Sequence, residues 1–397
     1  MKKVLATVLA LVMALALCSV SWAANPASVS NAETLKTAIN DATADNNTIT
    51  LTGDVALSKS VIINKSGVDL VIDLGGKTIS GSSQLFDIYS PVTFKNGTID
   101  VTYNGSESIC VMWLNGGAKL VLENDVTVNA AKSAGATGSV FAVGFWNDCN
   151  GAELTINGKI TGDNGATING NITKNTNKIS VNGTIDVTEL ALYLAGNGIT
   201  DINNGASLKG DAGVEIRAGV LNINGGTITS TGANYNVTSN PGGPTTTGAA
   251  LAVAEHTTNQ GVTVNINGGT ITNVAGGKAI SVANPEEKEE AKGANVSVNG
   301  GTISGDVKVG ENVKSTVEGK EPLTVSGDYN MTKDSEGNYT IAKKPTSYYY
   351  YPSTSDTTTS TTTKGSPKTF DAGIALYVGM ALTSAAGVAF VGKKRED

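Results

Sequence analysis

A short phrase recurs along the middle of this chain: alternating apolar residues, then Asn-Gly, then Thr-Ile or an equivalent pair. Clear copies are Leu154–Gly158, Ile179–Gly183, Leu221–Ile228, Val264–Ile271 and Val296–Ile303. They return roughly every 20 to 40 residues, which is the period of solenoids and other repeat architectures. This repeat constrains the fold more strongly than any other feature of the sequence.

A second strand-like run follows most of the turns, as at Val140–Phe145, Leu190–Leu194 and Lys278–Ala283. Each period therefore holds about three short strands separated by turns. A β-hairpin explains a single Asn-Gly turn, but not its regular return with another strand in between. We expect an all-β fold, a parallel β-helix in which each repeat is one coil; a β-sandwich is the alternative.

In such a coil, Asn-Gly forms a corner, because Asn tolerates the left-handed conformation and Gly reaches it without steric cost. Stacked coils would align the Asn side chains into a ladder whose amides hydrogen-bond from coil to coil. The predicted ladder consists of Asn96, Asn124, Asn157, Asn182, Asn224, Asn267 and Asn299.

The N-terminal end of the repeat region carries a helix signal. Ser30–Glu33 has the pattern of a capping box, and the residues that follow place an apolar face on a helix: Leu35, Ala38, Ile39 and Ala42. Because an open coil exposes its core and a sheet edge, a helix here is suited to cover the first coil. We predict a capping helix within residues 24–45 and a β-helix over 46–344, with strands beginning at Thr48.

This beginning, followed by the phrase Asp73–Ile79, resembles the pectate-lyase-like superfamily. The resemblance covers roughly residues 30 to 344 and implies a right-handed parallel β-helix. It says little about function, because this fold supports unrelated activities.

The N-terminus indicates export. Lys2 and Lys3 precede the apolar run Val4–Val20, and Ser21–Ala23 provides small residues before a cut at Ala24, so residues 1–23 are typical of a signal peptide. Acylation of Cys18 is the alternative, but Leu17 stands where a small residue is expected.

The C-terminus indicates an anchor. Residues 373–391 carry no charge and as a helix would span about 28 Å, close to a bilayer core. Lys393, Lys394 and Arg395 follow and would remain in the cytoplasm. Residues 345–365, rich in Thr, Ser and Tyr, predict a low-complexity stalk that buries no core.

Between stalk and span stands a motif of four residues: Pro367, Lys368, Thr369 and Phe370. With the apolar span and basic tail, residues 366–397 resemble the LPXTG sorting signal of Gram-positive wall-anchored proteins. The resemblance implies that a sortase cleaves between Thr369 and Phe370 and joins the chain to peptidoglycan, after the span has held it in the membrane. Ser366 and Phe370 depart from the Leu and Gly of that pattern, so a plain membrane anchor is the alternative.

Composition narrows the possible chemistry. The net charge is −7 and arginine occurs only at 217 and 395, so there is no basic stripe for nucleic acid. One histidine and three cysteines leave little for a His- or Cys-based metal site, and we expect no cofactor. Cys110 and Cys149 are predicted to be buried thiols, with a disulfide between them as the alternative.

Weak catalytic candidates are Glu215 and Arg217, which would both project outward while Val214 and Ile216 fill the core. Asp87 is another outward carboxylate, several coils away. The alternative for Glu215 and Arg217 is a surface ion pair, which contributes little to stability. A lyase would add Ca²⁺ on clustered carboxylates, and a hydrolase needs two carboxylates within about 10 Å.

Two further segments with titratable side chains are expected to be loops rather than functional sites. His256 lies beside Glu255 in an Asn/Thr/Gly-rich segment and is expected to be exposed. The run Glu286–Glu290 is expected to be a solvated excursion between coils.

Aromatic residues offer a route to carbohydrate, because rings stack on sugar faces. Trp113, Trp146 and Tyr193 fall on or beside the second strand of nearby coils and would form a shallow strip if they face outward. If the strand parity is opposite, they belong to the core.

We therefore expect a surface-displayed, non-catalytic, adhesin-like β-helix that contacts an extracellular glycan or a host or microbial surface protein. A wall-anchored polysaccharide lyase or glycosidase is the alternative.

Overall fold

The computed structural model describes residues 27–147, 149–287 and 291–345. Within these residues the chain is almost entirely β. A continuous sheet of 30 strands winds into a solenoid in which neighbouring strands are nearly all parallel. The repeat thus forms stacked coils, and each full coil contributes strands to three faces, which we name the first, second and third sheets.

The first sheet contains the strand that leads into each Asn-Gly turn. Its members are β1 (Ala27–Val29), β2 (Thr48–Leu51), the first parts of β5 (Leu70–Gly81) and β7 (Val92–Tyr103), β9 (Lys119–Leu122), β12 (Glu153–Ile156), β14 (Lys178–Val181), β16 (Ile199–Ile202), β19 (Gly219–Ile223), β24 (Val262–Ile266), β27 (Ala294–Val298) and β30 (Leu323–Val325).

The second sheet contains the strand that follows each turn. Its members are β3 (Val55–Ala56), the second parts of β5 and β7, β10 (Val126–Lys132), the first parts of β13 (Lys159–Ile168) and β15 (Thr184–Leu194), β17 (Ser207–Gly210), β20 (Thr227–Ser230), β25 (Thr270–Asn273) and β28 (Thr302–Ser304).

The third sheet completes the coil. Its members are β4 (Val61–Ile63), β6 (Phe86–Ile88), β8 (Ile109–Leu114), β11 (Val140–Phe145), the second parts of β13 and β15, β18 (Ala212–Ile216), β23 (Ala249–Ala254), β26 (Lys278–Ala283) and β29 (Val307–Val309). A short antiparallel pair, β21 (Asn236–Val237) and β22 (Thr246–Thr247), lies in a loop outside the coils.

The core consists of aliphatic columns inside the coils. The Ile or Leu after each turn is paired with its equivalent in the next coil, as in Ile185, Leu208 and Ile228, and all three are buried. Because side chains alternate along a strand, the residues between them face out. Burial of each such side chain stabilises the fold by about 1.5–3 kcal/mol, and the register fixes every coil to the next.

Both ends of the described solenoid are covered. The helix α1 (Ala32–Asp41) buries Leu35 and Ile39 against the first coil. At the other end, β31 (Tyr329–Lys333) and β32 (Asn338–Lys343) form an antiparallel hairpin, and β32 pairs antiparallel with β29. These elements satisfy sheet edges that would otherwise be open to pairing.

The predicted start of the solenoid needs two corrections. The helix cap is Asn31, whose side chain accepts from the Thr34 N–H at 2.9 Å, while Thr34 Oγ1 accepts from the Asn31 N–H at 3.2 Å; the box predicted at Ser30–Glu33 is one residue too early. The strands begin before the helix rather than at Thr48, because β1 pairs with β2. A three-residue strand is too short for its alternation to be read from sequence.

The Asn ladder runs along the corner between the first and second sheets. Asn182 donates to Asn157 at 2.8 Å, and Asn267 donates to Asn224 at 3.1 Å. Asn299 continues it by donating to Asn267 at 3.2 Å. Between Asn182 and Asn224 stands a member the sequence analysis omitted, Asn203, which donates to Asn182 at 2.9 Å and accepts from Asn224 at 3.3 Å.

Towards its predicted N-terminal end, the ladder is no longer a row of amides, because carboxylates take part in it. Asn157 approaches the Glu123 carboxylate at 3.5 Å, so Glu123 holds the position expected for Asn124. Asn96 donates to Asp73 at 3.2 Å. Asn96 is also the ladder residue that adopts the left-handed conformation, with φ of 59°.

The first glycine of these turns is required by close stacking of the coils. A Cβ on Gly183 would lie 2.1 Å from the Gly158 carbonyl oxygen, far inside any real contact. Left-handed backbone occurs at Asn96 in one copy and, in the Asn-Gly-Gly copies, at the second glycine: Gly226, Gly269 and Gly301. The first glycine is needed for space under the neighbouring coil.

In the described ranges, no helix is long and apolar enough to cross a membrane. The predicted signal peptide (1–23), sorting signal (366–397) and apolar span (373–391) lie outside the described residues, as does all of the stalk except residue 345.

Candidate functional site

A cleft of about 970 Å³ lies against the outward side of the third sheet. Strands β8, β11, β13, β15 and β18 supply its floor, and two loops, 240–247 and 256–258, stand over it. We call the first of these loops the roof. The cleft is formed by residues that strand alternation directs away from the core.

Register places the key positions of this cleft in one row. Asp87 pairs with Trp113, Trp113 with Gly144, Gly144 with Thr167, Thr167 with Tyr193, and Tyr193 with Glu215. Because the strands are parallel and in register, this outward row runs along the solenoid axis. Its middle members line the cleft, and Glu215 lies at the end covered by the roof.

The Trp113 ring lies against the sheet over Gly144. A Cβ on Gly144 would meet the Cys110 Sγ at 2.3 Å and ring atoms of Trp113 at 2.7 and 3.0 Å, so the absent side chain makes room for both the thiol and the indole. Trp146 packs edge-on against the same ring, with centroids 4.9 Å apart and planes at 87°. Trp113 lines the cleft, whereas Trp146 is 44 % exposed beside it. Trp146 therefore supports Trp113 and does not itself line the cleft.

A second aromatic platform lies further along the floor. The rings of Phe141 and Tyr193 are stacked at 6.5 Å. They belong to a small apolar cluster outside the main core, with Leu190, Ala195 and Ala212. Burial raises the pKa of the Tyr193 hydroxyl to about 12, although the nearby Arg217 acts to lower it. Tyr193 is therefore neutral at physiological pH.

Polar groups surround the aromatic floor. Glu189 accepts from Asn164 at 2.8 Å and pairs with Lys132. Asp211 and several Asn and Thr side chains also line the cleft. His256, predicted to be exposed, is only 8 % exposed and lines the cleft with its ring over Gly170.

Glu215 holds the roof. Its Oε1 accepts from the Thr245 N–H at 2.8 Å and from the Thr245 hydroxyl at 2.9 Å, and its Oε2 accepts from the Thr246 N–H at 3.3 Å. Burial raises the pKa of this carboxyl above its usual value, while the hydrogen bonds from Thr245 and the charge of Arg217 oppose that rise. The carboxylate is occupied by roof backbone.

Arg217 binds the same loop through the carbonyl groups of the loop backbone. It donates to the carbonyl oxygens of Asn240 at 2.8 Å and Gly243 at 2.7 Å, and it pairs with Glu286 at 3.0 Å. Glu286 in turn accepts from the Ser239 hydroxyl and the Asn240 N–H. The guanidinium thus connects three segments of the chain.

Several predicted roles change with this geometry. Glu215 and Arg217 do leave the strand on its outward side, but both are fully buried, so the surface ion pair is wrong. The solvated excursion is also wrong for Glu286, whose side chain is 6 % exposed; residues 288–290 lie outside the described residues. In each case a loop from elsewhere in the chain covers the group.

Asp87 does not join Glu215 in a catalytic group. Five strand pairings separate them, which is about 24 Å at the spacing of a sheet. Asp87 instead accepts from Ser60 at 3.1 Å and from Gln84 at 2.6 Å. Among the residues that the structure describes, no three His, Cys, Asp or Glu side chains are arranged to hold a metal ion.

Both cysteines in the described part of the chain, Cys110 and Cys149, are buried, as predicted. Cys110 lies under the Trp113 side of the cleft, and burial raises the pKa of its thiol well above the usual value.

Three residues of this site were not predicted from the sequence: Phe141, Gly144 and Glu189. Only the register of the third sheet could have identified them, and that register is known only once the coils are aligned residue by residue. Comparison of the chain with family models, curated proteins and solved structures finds no match.

Proposed function

We propose that this chain is an exported, surface-anchored binding protein whose solenoid is a right-handed parallel β-helix. In this proposal it is non-catalytic and adhesin-like, and the cleft on its third sheet contacts an extracellular glycan or surface protein. The observation that carries the proposal is the pair of aromatic platforms, Trp113 and Phe141–Tyr193, in one cleft.

The composition of the cleft supports binding. Its volume falls at the upper end of the range typical of ligand sites, and it combines aromatic rings with a small number of polar groups. Gly144 and Trp146 hold the Trp113 ring in place, so the floor is formed before a ligand arrives. A rigid floor lowers the ordering cost of association.

The side chains that were predicted as catalytic candidates are occupied by structural contacts. Glu215 and Arg217 are both hydrogen-bonded to the roof and are not exposed. One observation favours the alternative of a polysaccharide lyase or glycosidase. Glu189 and Asp211 line the cleft from adjacent coils, at positions whose backbones lie about 5 Å apart along the stack, and two carboxylates close together are a feature of retaining glycosidases.

A panel of polysaccharides distinguishes these functions. The full-length chain, purified in detergent, is incubated with pectin, glycosaminoglycan and plant-fibre samples with and without Ca²⁺. We expect retention on at least one of them and no new ends. Unsaturated or reducing ends that disappear in Glu189→Gln or Asp211→Asn would establish the enzyme and overturn the binding proposal.

Anchoring has its own test. We propose that the C-terminal signal, residues 366–397, is processed by a sortase and that the chain becomes attached to peptidoglycan. Mass spectrometry of the mature protein from a Gram-positive host should find a C-terminus at Thr369. A chain that retains residues 373–391 would contradict processing and leave a membrane anchor.

A further inference from the structure

We infer that the cleft binds an uncharged, linear polysaccharide segment, in preference to a polyuronate or a sulfated glycan. This inference rests on the binding function proposed above and narrows its ligand class. It follows from the charges, the platforms and the length of the cleft.

The side chains that line the cleft include the carboxylates of Glu189 and Asp211 but, among its described residues, no lysine or arginine. Binding sites for carboxylate or sulfate depend on such cations, arginine above all, for charge-assisted hydrogen bonds. A polyuronate in this cleft would meet carboxylates instead.

Two cations close to the cleft are already engaged. Lys132 pairs with Glu189, and its side chain is 23 % exposed. Arg217 is fully buried and directs its donors to roof carbonyl groups and Glu286. Redirecting Arg217 to a ligand anion would leave the buried Glu286 without its partner, which is costly. The Lys132–Glu189 pair is partly exposed and contributes less, but a ligand anion would still have to compete with Glu189 for Lys132.

The same pairing argues against a strongly basic ligand. Lys132 already compensates Glu189, whereas Asp211 forms no salt bridge with any residue that the structure describes. One uncompensated negative charge therefore remains, which offers a polycation a single charged partner. An uncharged ligand loses no hydration of ionic groups when it enters.

The platforms supply the attraction. A pyranose ring has an apolar C–H face and a hydroxyl edge, which matches an aromatic ring beside amide and hydroxyl groups. The Trp113 ring lies over Gly144, and the rings of Phe141 and Tyr193 stack on each other. Asn169, Asn171 and Thr258 lie on the polar side of the cleft, where they can reach ligand hydroxyl groups.

The length of the site requires a chain. Trp113 and Tyr193 stand in the same row with Gly144 and Thr167 between them. Three strand steps separate their backbones by about 14 Å. A ligand that contacts both platforms therefore contains several sugars and runs along the solenoid axis.

Calorimetry on the full-length chain in detergent tests the inference. The probes are hexasaccharides of neutral glucan, xylan and mannan, with hexagalacturonate and a heparin hexasaccharide as the anionic set. We expect at least one neutral probe to bind and the anionic probes to give no measurable heat. Trp113→Ala should weaken the neutral probe by about tenfold or more, since an aromatic contact contributes on the order of 1 kcal/mol beyond its buried area.

Three further variants test whether a change in affinity is specific to the cleft. Tyr89→Ala removes an aromatic side chain that is 44 % exposed outside the cleft and should leave affinity within about twofold, as surface changes away from a site usually do. Trp113→Phe keeps a ring and should retain more affinity than the alanine variant. Asp211→Lys adds a cation to an exposed position and should give hexagalacturonate measurable affinity.

The outcomes separate the two proposals. Wild-type binding of an anionic hexasaccharide, lost in Trp113→Ala, would overturn the neutral-ligand inference while the cleft remains a glycan site. Binding of none of the five probes would overturn the inference together with the glycan function. Binding of a neutral probe that is unchanged in Trp113→Ala would place the site elsewhere and overturn the inference as well.

Discussion

The Arg217 Nε and the Glu215 Oε1 lie 3.9 Å apart at the C-terminal end of β18, and neither side chain is exposed to solvent. The two residues divide the backbone of the roof between them. Glu215 accepts from N–H groups of Thr245 and Thr246, and Arg217 donates to carbonyl oxygens of Asn240 and Gly243. A buried ion pair therefore holds the loop that closes the cleft.

The first prediction concerns the cation of this pair. Arg217→Met should lower the free energy of unfolding by about 3–5 kcal/mol, because it leaves buried carboxylates without a counter-charge. Urea denaturation measures the change, and Lys174→Met in an exposed loop serves as the matched control. A loss no larger than that of the control would contradict the structural role of Arg217.

The second prediction concerns the carboxylate. Glu215→Gln keeps the shape but places an amide N–H donor against roof N–H groups, so at least one charge-assisted hydrogen bond is lost. Such a bond contributes about 1.5–3 kcal/mol, which corresponds to roughly tenfold or more in local opening. Limited proteolysis within 236–247 should accelerate accordingly. The exposed Glu318→Gln is the control, and equal cleavage rates in both variants would disprove the prediction.

The sequence predicted the solenoid because its repeat is local: each turn and each strand lies within one period. The outward direction of Glu215 and Arg217 also followed from alternation around Val214 and Ile216. Their burial could not be predicted in the same way. It depends on residues 240–246 and on Glu286, which reach the pair from other parts of the chain.

The aromatic residues illustrate the same limit. Ile109–Leu114 and Val140–Phe145 are apolar almost throughout, so a period-two pattern does not say which side faces the core. The structure places Phe145 inside and Trp113 outside. The choice follows from register with Gly144, which provides space for the indole.

The third prediction is a dependence on pH through Glu286. Although burial acts to raise its pKa, hydrogen bonds from Ser239 and Asn240 and the charge of Arg217 hold the pKa of Glu286 below its usual 4.5. A lowered folded-state pKa contributes stability that is present above 4.5 and is lost as the pH falls through the folded value. Glu286→Gln should therefore flatten the acid side of the stability curve.

Urea denaturation between about pH 6 and pH 3 measures this difference. The neighbouring Glu287→Gln, at an exposed position, is the control and should leave the curve unchanged. An acid-side slope in Glu286→Gln equal to that of the wild type would disprove the role of Glu286.

The fourth prediction addresses the amide ladder. Asn203→Ala removes three hydrogen bonds: one given to Asn182, one given to the Ser180 hydroxyl at 3.1 Å and one accepted from Asn224. We expect a loss of about 1–3 kcal/mol in the free energy of unfolding, since each neutral hydrogen bond contributes roughly 1 kcal/mol. Asn312→Ala, in an exposed turn, controls for the loss of an amide. If both variants unfold at the same denaturant concentration, the ladder adds no stability.

The fifth prediction tests whether the first glycine of the repeat is needed for space between the coils rather than for a left-handed backbone. Gly183→Ala would place a Cβ 2.1 Å from the Gly158 carbonyl oxygen and 2.3 Å from that of Asn157. Both obstacles are backbone of the neighbouring coil, so relief requires the coils to move apart, and overpacking of this kind costs about 1–3 kcal/mol or more. Gly242→Ala in the roof would meet no atom within 4 Å and should be nearly neutral. Thermal and urea denaturation of the two variants compare them directly. Equal stability would mean that the coils tolerate a side chain at the corner, and the stacking account of the Asn-Gly phrase would then be wrong.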